Sequence, residues 1–212
     1  MELNLNYLCS GVTTLGPGRR IGLWVQGCSH RCIDCMSPEL FSREEGVRAE
    51  VKQVFEQILA LAEGHDGLTV SGGEPFEQPE ALCLLFSLIR EHTSLDILVY
   101  SGYTMTEVLV GSQAGVEMLA RADVLIDGRY RWDLPTNKLW RGSENQQMHL
   151  LSATGRKYQG FVEAEYGSAR PLQVELMDDN GFQIIGIPAN GDIRRLKEEL
   201  FGRGITLKEN NK

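Results

Sequence analysis

Short apolar runs alternate with longer amphipathic stretches along the chain, a rhythm that predicts βα units. Residues 21–25, 68–70, 97–100 and 124–126 are short and rich in β-branched or aromatic side chains, as strands buried on both faces are. Between them Val51, Val54, Phe55, Ile58 and Leu59 recur at helical spacing, and so do Leu82, Leu85, Phe86 and Ile89. A weaker helical pattern over residues 104–122 is interrupted by Gly111 and Gly115. Helical crossovers return each strand in the same direction, so the pattern predicts a parallel sheet.

The character changes near Gly155. Residues 172–177 and 182–187 flank the turn-forming run Asp178-Asp179-Asn180-Gly181 and predict a hairpin. A final helix is expected over residues 192–201, with Ile193, Leu196 and Leu200 on one face and Gly202 or Gly204 stopping it. The expected organisation is therefore an α/β core over residues 1–154 and an appendage of hairpin and helix over residues 155–212.

Composition narrows the class. A chain of 212 residues with 42% hydrophobic and 24% charged content suits a compact domain with an appendage. Its apolar stretches fall short of the roughly 20 residues that cross a bilayer, and Met1 to Asn6 lacks the basic start and apolar core of a secretion signal. The expectation is a cytoplasmic protein that does not enter a membrane. A net charge of −8 argues against a nucleic-acid partner that needs a broad basic face. Five cysteines, three of them within eight residues, point to a metal rather than a disulfide framework.

Each predicted core strand runs directly into a small, chemically equipped loop: Gly27-Cys28, Ser71-Gly72-Gly73-Glu74-Pro75, Ser101-Gly102-Tyr103-Thr104 and Asp127-Gly128-Arg129. Loops that follow parallel strands lie at one end of the sheet, where ligands bind, so these four are expected to converge. The strongest is Cys28-Ser29-His30-Arg31-Cys32-Ile33-Asp34-Cys35. Thiolates suit iron–sulfur clusters, zinc or Cu(I) alike. A structural zinc site needs a fourth ligand, for which His30 is nearest, and usually a second knuckle that this chain lacks. Three cysteines on one loop can instead hold three irons of a cubane and leave the fourth open. Cys9 and Cys83 read as small buried hydrophobes.

The CxxxCxxC spacing after one strand, joined to Gly-Gly-Glu-Pro after the next, resembles the radical S-adenosylmethionine (SAM) superfamily. Gly16-Pro17-Gly18-Arg19-Arg20, Tyr100-Ser101-Gly102-Tyr103-Thr104, the run Asp123-Val124-Leu125-Ile126-Asp127-Gly128-Arg129 and Trp140-Arg141-Gly142-Ser143-Glu144-Asn145-Gln146 are similar to the activating enzymes of anaerobic ribonucleotide reductase. The similarity spans roughly residues 5 to 151. Two departures stand beside the third cysteine: Asp34 where the family places an aromatic or apolar residue, and Met36-Ser37 where it has Tyr-Asn.

The resemblance implies an incomplete parallel (βα) barrel of the radical SAM type with a small C-terminal β-hairpin and helix. It further implies that Cys28, Cys32 and Cys35 hold a [4Fe-4S] cluster that reductively cleaves SAM to a 5′-deoxyadenosyl radical. The partner it implies is a glycyl radical enzyme, activated by abstraction of a glycine hydrogen. Gly72 and Gly73 allow a close backbone approach to SAM, and Glu74 and Pro75 complete that loop. Glu74 either fixes the loop or binds the SAM ammonium, with a solvated surface acid as the plain alternative. Asp127 is expected on SAM hydroxyls or substrate backbone and Arg129 on a carboxylate, with a structural ion pair as the alternative. Ser101 and Tyr103 either touch SAM or shape a turn.

Arg129, Arg131, Lys138 and Arg141 make a basic stretch in an acidic chain, either a solvated loop or a dock for a flavodoxin or ferredoxin electron donor. A peptide or small metabolite is the alternative substrate. Cys9 and Cys83 alone cannot ligate an auxiliary cluster, which weighs against peptide modification. A metal-bearing binding module without catalysis is the alternative of another class.

Overall fold

The computed structural model describes residues 1–176, 182–189 and 191–204. Seven strands join in one sheet: β1 (Glu2–Val12), β2 (Arg20–Val25), β3 (Val47–Glu50), β4 (Gly67–Gly72), β5 (Asp96–Tyr100), β6 (Val124–Asp127) and β7 (Gln147–Leu150). Their order is β3-β1-β2-β4-β5-β6-β7. The central strands β2, β4, β5 and β6 are parallel, as the alternating pattern predicts, and β1, β3 and β7 flank them in antiparallel pairing. The fold is mixed α/β with a parallel centre.

Period-2 alternation sorts each central strand between two layers. Ile21, Leu23, Val25, Leu68, Val70, Ile97, Val99 and Leu125 face the helices α1 (Val51–Leu61), α2 (Pro79–His92), α3 (Met105–Val110) and α4 (Gln113–Leu119) in one buried cluster. Trp24, Leu98, Val124 and Ile126 fall in two smaller clusters on the opposite face, with Val12, Leu40, Trp140 and Met148. Gly22 belongs to that face for a steric reason: a Cβ there would lie 2.3 Å from the Trp24 ring.

The helices follow their sequence stripes, with one exception. Val51, Val54, Phe55 and Ile58 are buried on α1, whereas Leu59 is 43% exposed. The weak third pattern resolves into two helices. Gly111 ends α3, and Ser112 restarts the chain by accepting a hydrogen bond from Gly115 N, which caps α4.

The Gly16-Pro17-Gly18-Arg19-Arg20 segment serves the amino end of the sheet. Arg20 is fully buried and donates to Thr69 Oγ1, Pro17 O, Leu68 O and Asp96, with an ion pair of 2.5 Å to Asp96. Residues 155–166 are fastened to the core. Tyr158 bonds Asp96, Leu139 N donates to Ala164 O, and Trp140 N donates to the Tyr166 hydroxyl.

Beyond them β8 (Gln173–Leu176) and β9 (Phe182–Ile185) form the expected antiparallel hairpin, whose turn at Asp178-Asp179-Asn180-Gly181 lies outside the described residues. The final helix is α5 (Asp192–Gly202), with Ile193, Leu196 and Leu200 half-buried. No helix among the described residues is long and apolar enough to cross a membrane.

Candidate functional site

The parallel strands β2, β4, β5 and β6 place their carboxyl ends side by side, and the loops that follow are tied to one another by hydrogen bonds. Gly73 N donates to Val25 O and Glu74 N to Gly27 O, both at 2.8 Å. These bonds fasten the Gly-Gly loop to the base of the cysteine loop. A Cβ on Gly73 would lie 2.2 Å from Gly27 O, and one on Gly72, whose φ is +101°, would lie 2.6 Å from Val25 O. The two glycines are thus required by the approach of one loop to the other.

The cysteine loop leaves β2 and returns at Leu40 and Phe41, where Gly27 N and Cys28 N donate to the carbonyls of Leu40 and Phe41. Cys28, Cys32 and Cys35 are free and half-buried. Arg31 and Asp34, each immediately before a cysteine, hold left-handed φ values of 47° and 55°. Non-glycine residues adopt that region rarely, and it gathers at sites where a loop must present its side chains in a fixed way.

Burial raises the thiol pKa of Cys28 and of Cys35. Backbone N–H groups of His30 and Arg31 oppose the rise at Cys28, and that of Ser37 opposes it at Cys35, where the neighbouring Cys32 and Cys28 add to it. Among the described residues no three His, Cys, Asp or Glu side chains are gathered about a single metal-ion position. A cubane does not ask for that arrangement, because each thiolate binds a different iron. The soft donor set and the N–H groups directed at sulfur suit such a cluster.

Glu74 is buried at the centre of the loops, where its carboxylate accepts from Phe76 N (2.9 Å), Ser101 Oγ (2.9 Å) and Gly102 N (2.7 Å). His30 Nε2 lies 3.2 Å from the same carboxylate, in contact but without the alignment of a hydrogen bond. The His30 ring packs edge-on against Tyr103 and over Gly102, where a Cβ would lie 2.3 Å from it. Ser101 shapes its turn by accepting from Tyr103 N at 3.0 Å, and Pro75 is buried at the start of the short turn that Glu74 caps. His30, Glu74, Ser101 and Tyr103 thus join three loops in one packed unit.

Asp127, at the end of β6, is also turned inward. Its carboxylate accepts from Met105 N (2.6 Å) and Gln147 N (3.3 Å) and lies 3.0 Å from His149 Nε2. Burial alone would raise its pKa, but His149 and the Met105 and Gln147 amides outweigh that and hold it below the ordinary 3.8. A depressed carboxyl pKa adds stability above the ordinary value, and this contribution is lost as pH falls below it. Asp127→Asn is therefore expected to cost about 1–3 kcal/mol at neutral pH. The difference from the wild type should shrink in urea titrations below pH 3.8, and a constant difference across pH would refute the charge argument.

The basic stretch does not form a patch. Arg131 pairs with Asp133 and Lys138 with Glu144 and Glu163, while Arg141 is buried against Leu139 O and Val162 O. Arg129 alone of the four is exposed and outside any ion pair among the described residues.

Four residues that sequence reasoning passed over brace the cysteine loop. Gln26 Nε2 donates to Glu39 O and Ser42 O, and Gln78 Nε2 donates to Gln26 O and Asn4 O. Asn4 holds Arg43 O and Glu45 O. Glu77 accepts from Ser29 N at 2.8 Å and pairs with Arg43, partners that outweigh burial and lower its pKa. The available signal was an amide or acid beside each motif, Gln26 before Gly27 and Glu77-Gln78 after the Gly-Gly loop.

Two cavities adjoin the cysteine loop. One of about 580 Å³ is lined by Cys28, Arg31, Phe41 and Arg43. The other, of about 570 Å³, is lined by Cys35, Ser71, Gly72, Tyr100 and Trp24 from the core and by residues of β9 and α5. Asp34, Met36 and Ser37 border this second cavity as well.

A parallel-centred sheet with a three-cysteine loop at its carboxyl end defines a class, and the family of the 4Fe-4S single cluster domain matches residues 14–149. The chain is 35% identical to the anaerobic ribonucleoside-triphosphate reductase-activating protein of Enterobacteria phage T4 over 152 residues, 70% of this chain and 93% of that relative. The protein of the same name from Escherichia coli is 32% identical over 143 residues, 64% of this chain and 91% of its own length. That of Haemophilus influenzae is 34% identical over 154 residues, 68% and 97% respectively. The chain belongs to the family of these activating proteins.

Proposed function

We propose that the protein is a radical SAM enzyme that activates a glycyl radical enzyme such as anaerobic ribonucleotide reductase. In this reading the sheet is an incomplete barrel, residues 1–154 form the catalytic core, residues 155–212 form an appendage, and the protein works in the cytoplasm. The observation that carries the proposal is that Cys35 and Gly72 line one cavity of about 570 Å³, in a chain 35% identical to an activating protein.

Cys28, Cys32 and Cys35 are assigned to the [4Fe-4S] cluster. Three ligands for four irons leave one position for SAM. When bound, the cluster supplies the electron for reductive cleavage of SAM to methionine and a 5′-deoxyadenosyl radical, which abstracts a hydrogen from a glycine of the partner. The chain's own task is to position these groups and to keep water from them. The Gly72-Gly73-Glu74-Pro75 loop offers backbone groups to SAM from a fixed place. Glu74, Ser101 and Asp127 support this by holding the loops, since their polar atoms bond within the protein. Tyr103 holds His30 in the same unit. Arg129 is assigned to a carboxylate of SAM or substrate, and a flavodoxin or ferredoxin serves as electron donor.

Incubating the reduced, reconstituted enzyme with SAM and the anaerobic ribonucleotide reductase of the source organism should give the doublet of a glycyl radical in electron paramagnetic resonance. The signal should require SAM, and oxygen should then cleave the partner at that glycine. SAM turnover without radical or cleavage would replace this reading by the second one, a peptide or small metabolite as substrate. That alternative is favoured by one observation: the family departures Asp34, Met36 and Ser37 all border the cavity.

A further inference from the structure

The second cavity has two kinds of wall. One is the core, with Cys35, Gly72, Trp24 and Tyr100. The other is the C-terminal segment, which contributes Ile184, Ile187 and Ile193 among others. This segment is seated on the core: Ile185 is buried with Leu15, Trp24 and Leu40, Ile187 packs against the same cluster, and Thr14 Oγ1 donates to Ile185 O. It lies beyond residues 14–149, which the family matches. Relatives of which the chain covers 93% and 97% leave little length for an equivalent.

A cavity of about 570 Å³ falls within the roughly 300–1,000 Å³ of small-molecule sites and is far too small for a folded partner. A protein substrate reaches it as a single strand of chain. The far wall is mixed, with Ile184, Ile187 and Ile193 as its apolar part beside Gln183 and Arg194.

We propose that the hairpin and α5 form a substrate-selecting wall, with Ile184, Ile187 and Ile193 in direct contact with the glycine-bearing loop of the partner. The proposal rests on the activating function argued above. Its test uses the full chain, reconstituted, with Ile193→Trp to narrow the cavity and Ile193→Ala to widen it. The probe is a synthetic peptide carrying the glycine loop of the anaerobic ribonucleotide reductase of the source organism.

The expected result is peptide affinity at least about tenfold weaker in Ile193→Trp by fluorescence anisotropy, with the iron content of the wild type retained. Ile193→Ala should keep its iron content and bind the peptide less weakly than Ile193→Trp does. Bound peptide should slow hydrogen exchange over residues 183–189 in the wild type. Unchanged affinity in both variants, with wild-type binding intact, would overturn the wall and leave the activating function standing. Loss of SAM cleavage with the cluster retained would place the segment against SAM and also overturn it. A wild-type enzyme that cleaves SAM but neither binds the peptide nor forms the radical would overturn the activating function and the wall together.

Discussion

Single replacement of Cys28, Cys32 or Cys35 by Ala is expected to strip most iron and sulfide from the anaerobically reconstituted protein. Formation of 5′-deoxyadenosine should fall by more than about 100-fold, beyond the 10- to 100-fold typical of outer-shell changes at metal sites. All three thiols are free and lie on one loop at the carboxyl end of the parallel strands, and the negative charge of the neighbouring cysteines opposes ionisation of Cys35. Binding to iron removes that repulsion and releases the protons that burial holds on Cys28 and Cys35.

The two remaining cysteines are the internal control. Cys9 is buried on β1, and its thiol is pushed up to about 12, chiefly by burial and then by the charge of Glu175, so it stays protonated at neutral pH. Cys83 sits half-buried on α2, packed against the main hydrophobic cluster. Cys9→Ala and Cys83→Ala should leave iron content and turnover within about twofold, with only the modest stability cost of a small cavity. Wild-type activity in the three loop variants would remove the cluster assignment.

How much of this was legible follows from where physical pressure on the chain is local. The four parallel strands are buried on both faces, so their composition announces them, and the stripe from Leu82 to Ile89 repeats every helical turn. The strand β1 is different. Leu3, Leu5 and Tyr7 alternate with Asn4 and Asn6, but Leu8 and Cys9 follow Tyr7 directly, and register shifts between Leu5 and Tyr7 and between Cys9 and Val12 cut the period of two short. The strands β3 and β7, four residues each, are too short to show a period.

The site divides in the same way. Cysteine spacing is a local signal, and so is glycine after a strand. The partners of Glu74 are not, because Ser101 and Gly102 lie 27 and 28 residues away and meet it only once β4 and β5 pair. The glycines carry a similar lesson. Sequence alone suggests a close approach to a ligand there, and what it does not show is that a Cβ at either position would also meet Val25 O or Gly27 O of the adjoining loop.

Replacing Glu74 by Ala is expected to have the largest effect of any non-cysteine change at the site, and the effect should be on stability before chemistry. The side chain is 1% exposed and takes donors from Phe76 N, Ser101 Oγ and Gly102 N. Its removal leaves these donors without the charge they were arranged around, and truncating one side of a buried charged arrangement costs about 3–5 kcal/mol. Glu74→Gln keeps one acceptor oxygen in place, so its cost should be nearer the 1–3 kcal/mol of an imperfectly met buried group. Urea denaturation of the metal-free proteins measures both without calling on the cluster. With the tie gone, His30 and Tyr103 lose the surface that holds them, and the cysteine loop loosens with them. Iron retention after reconstitution should then fall in the order wild type, Glu74→Gln, Glu74→Ala. If Glu74→Ala instead keeps its urea midpoint and its iron but no longer binds SAM in calorimetry, the carboxylate is a contact to the SAM ammonium and the structural assignment is wrong.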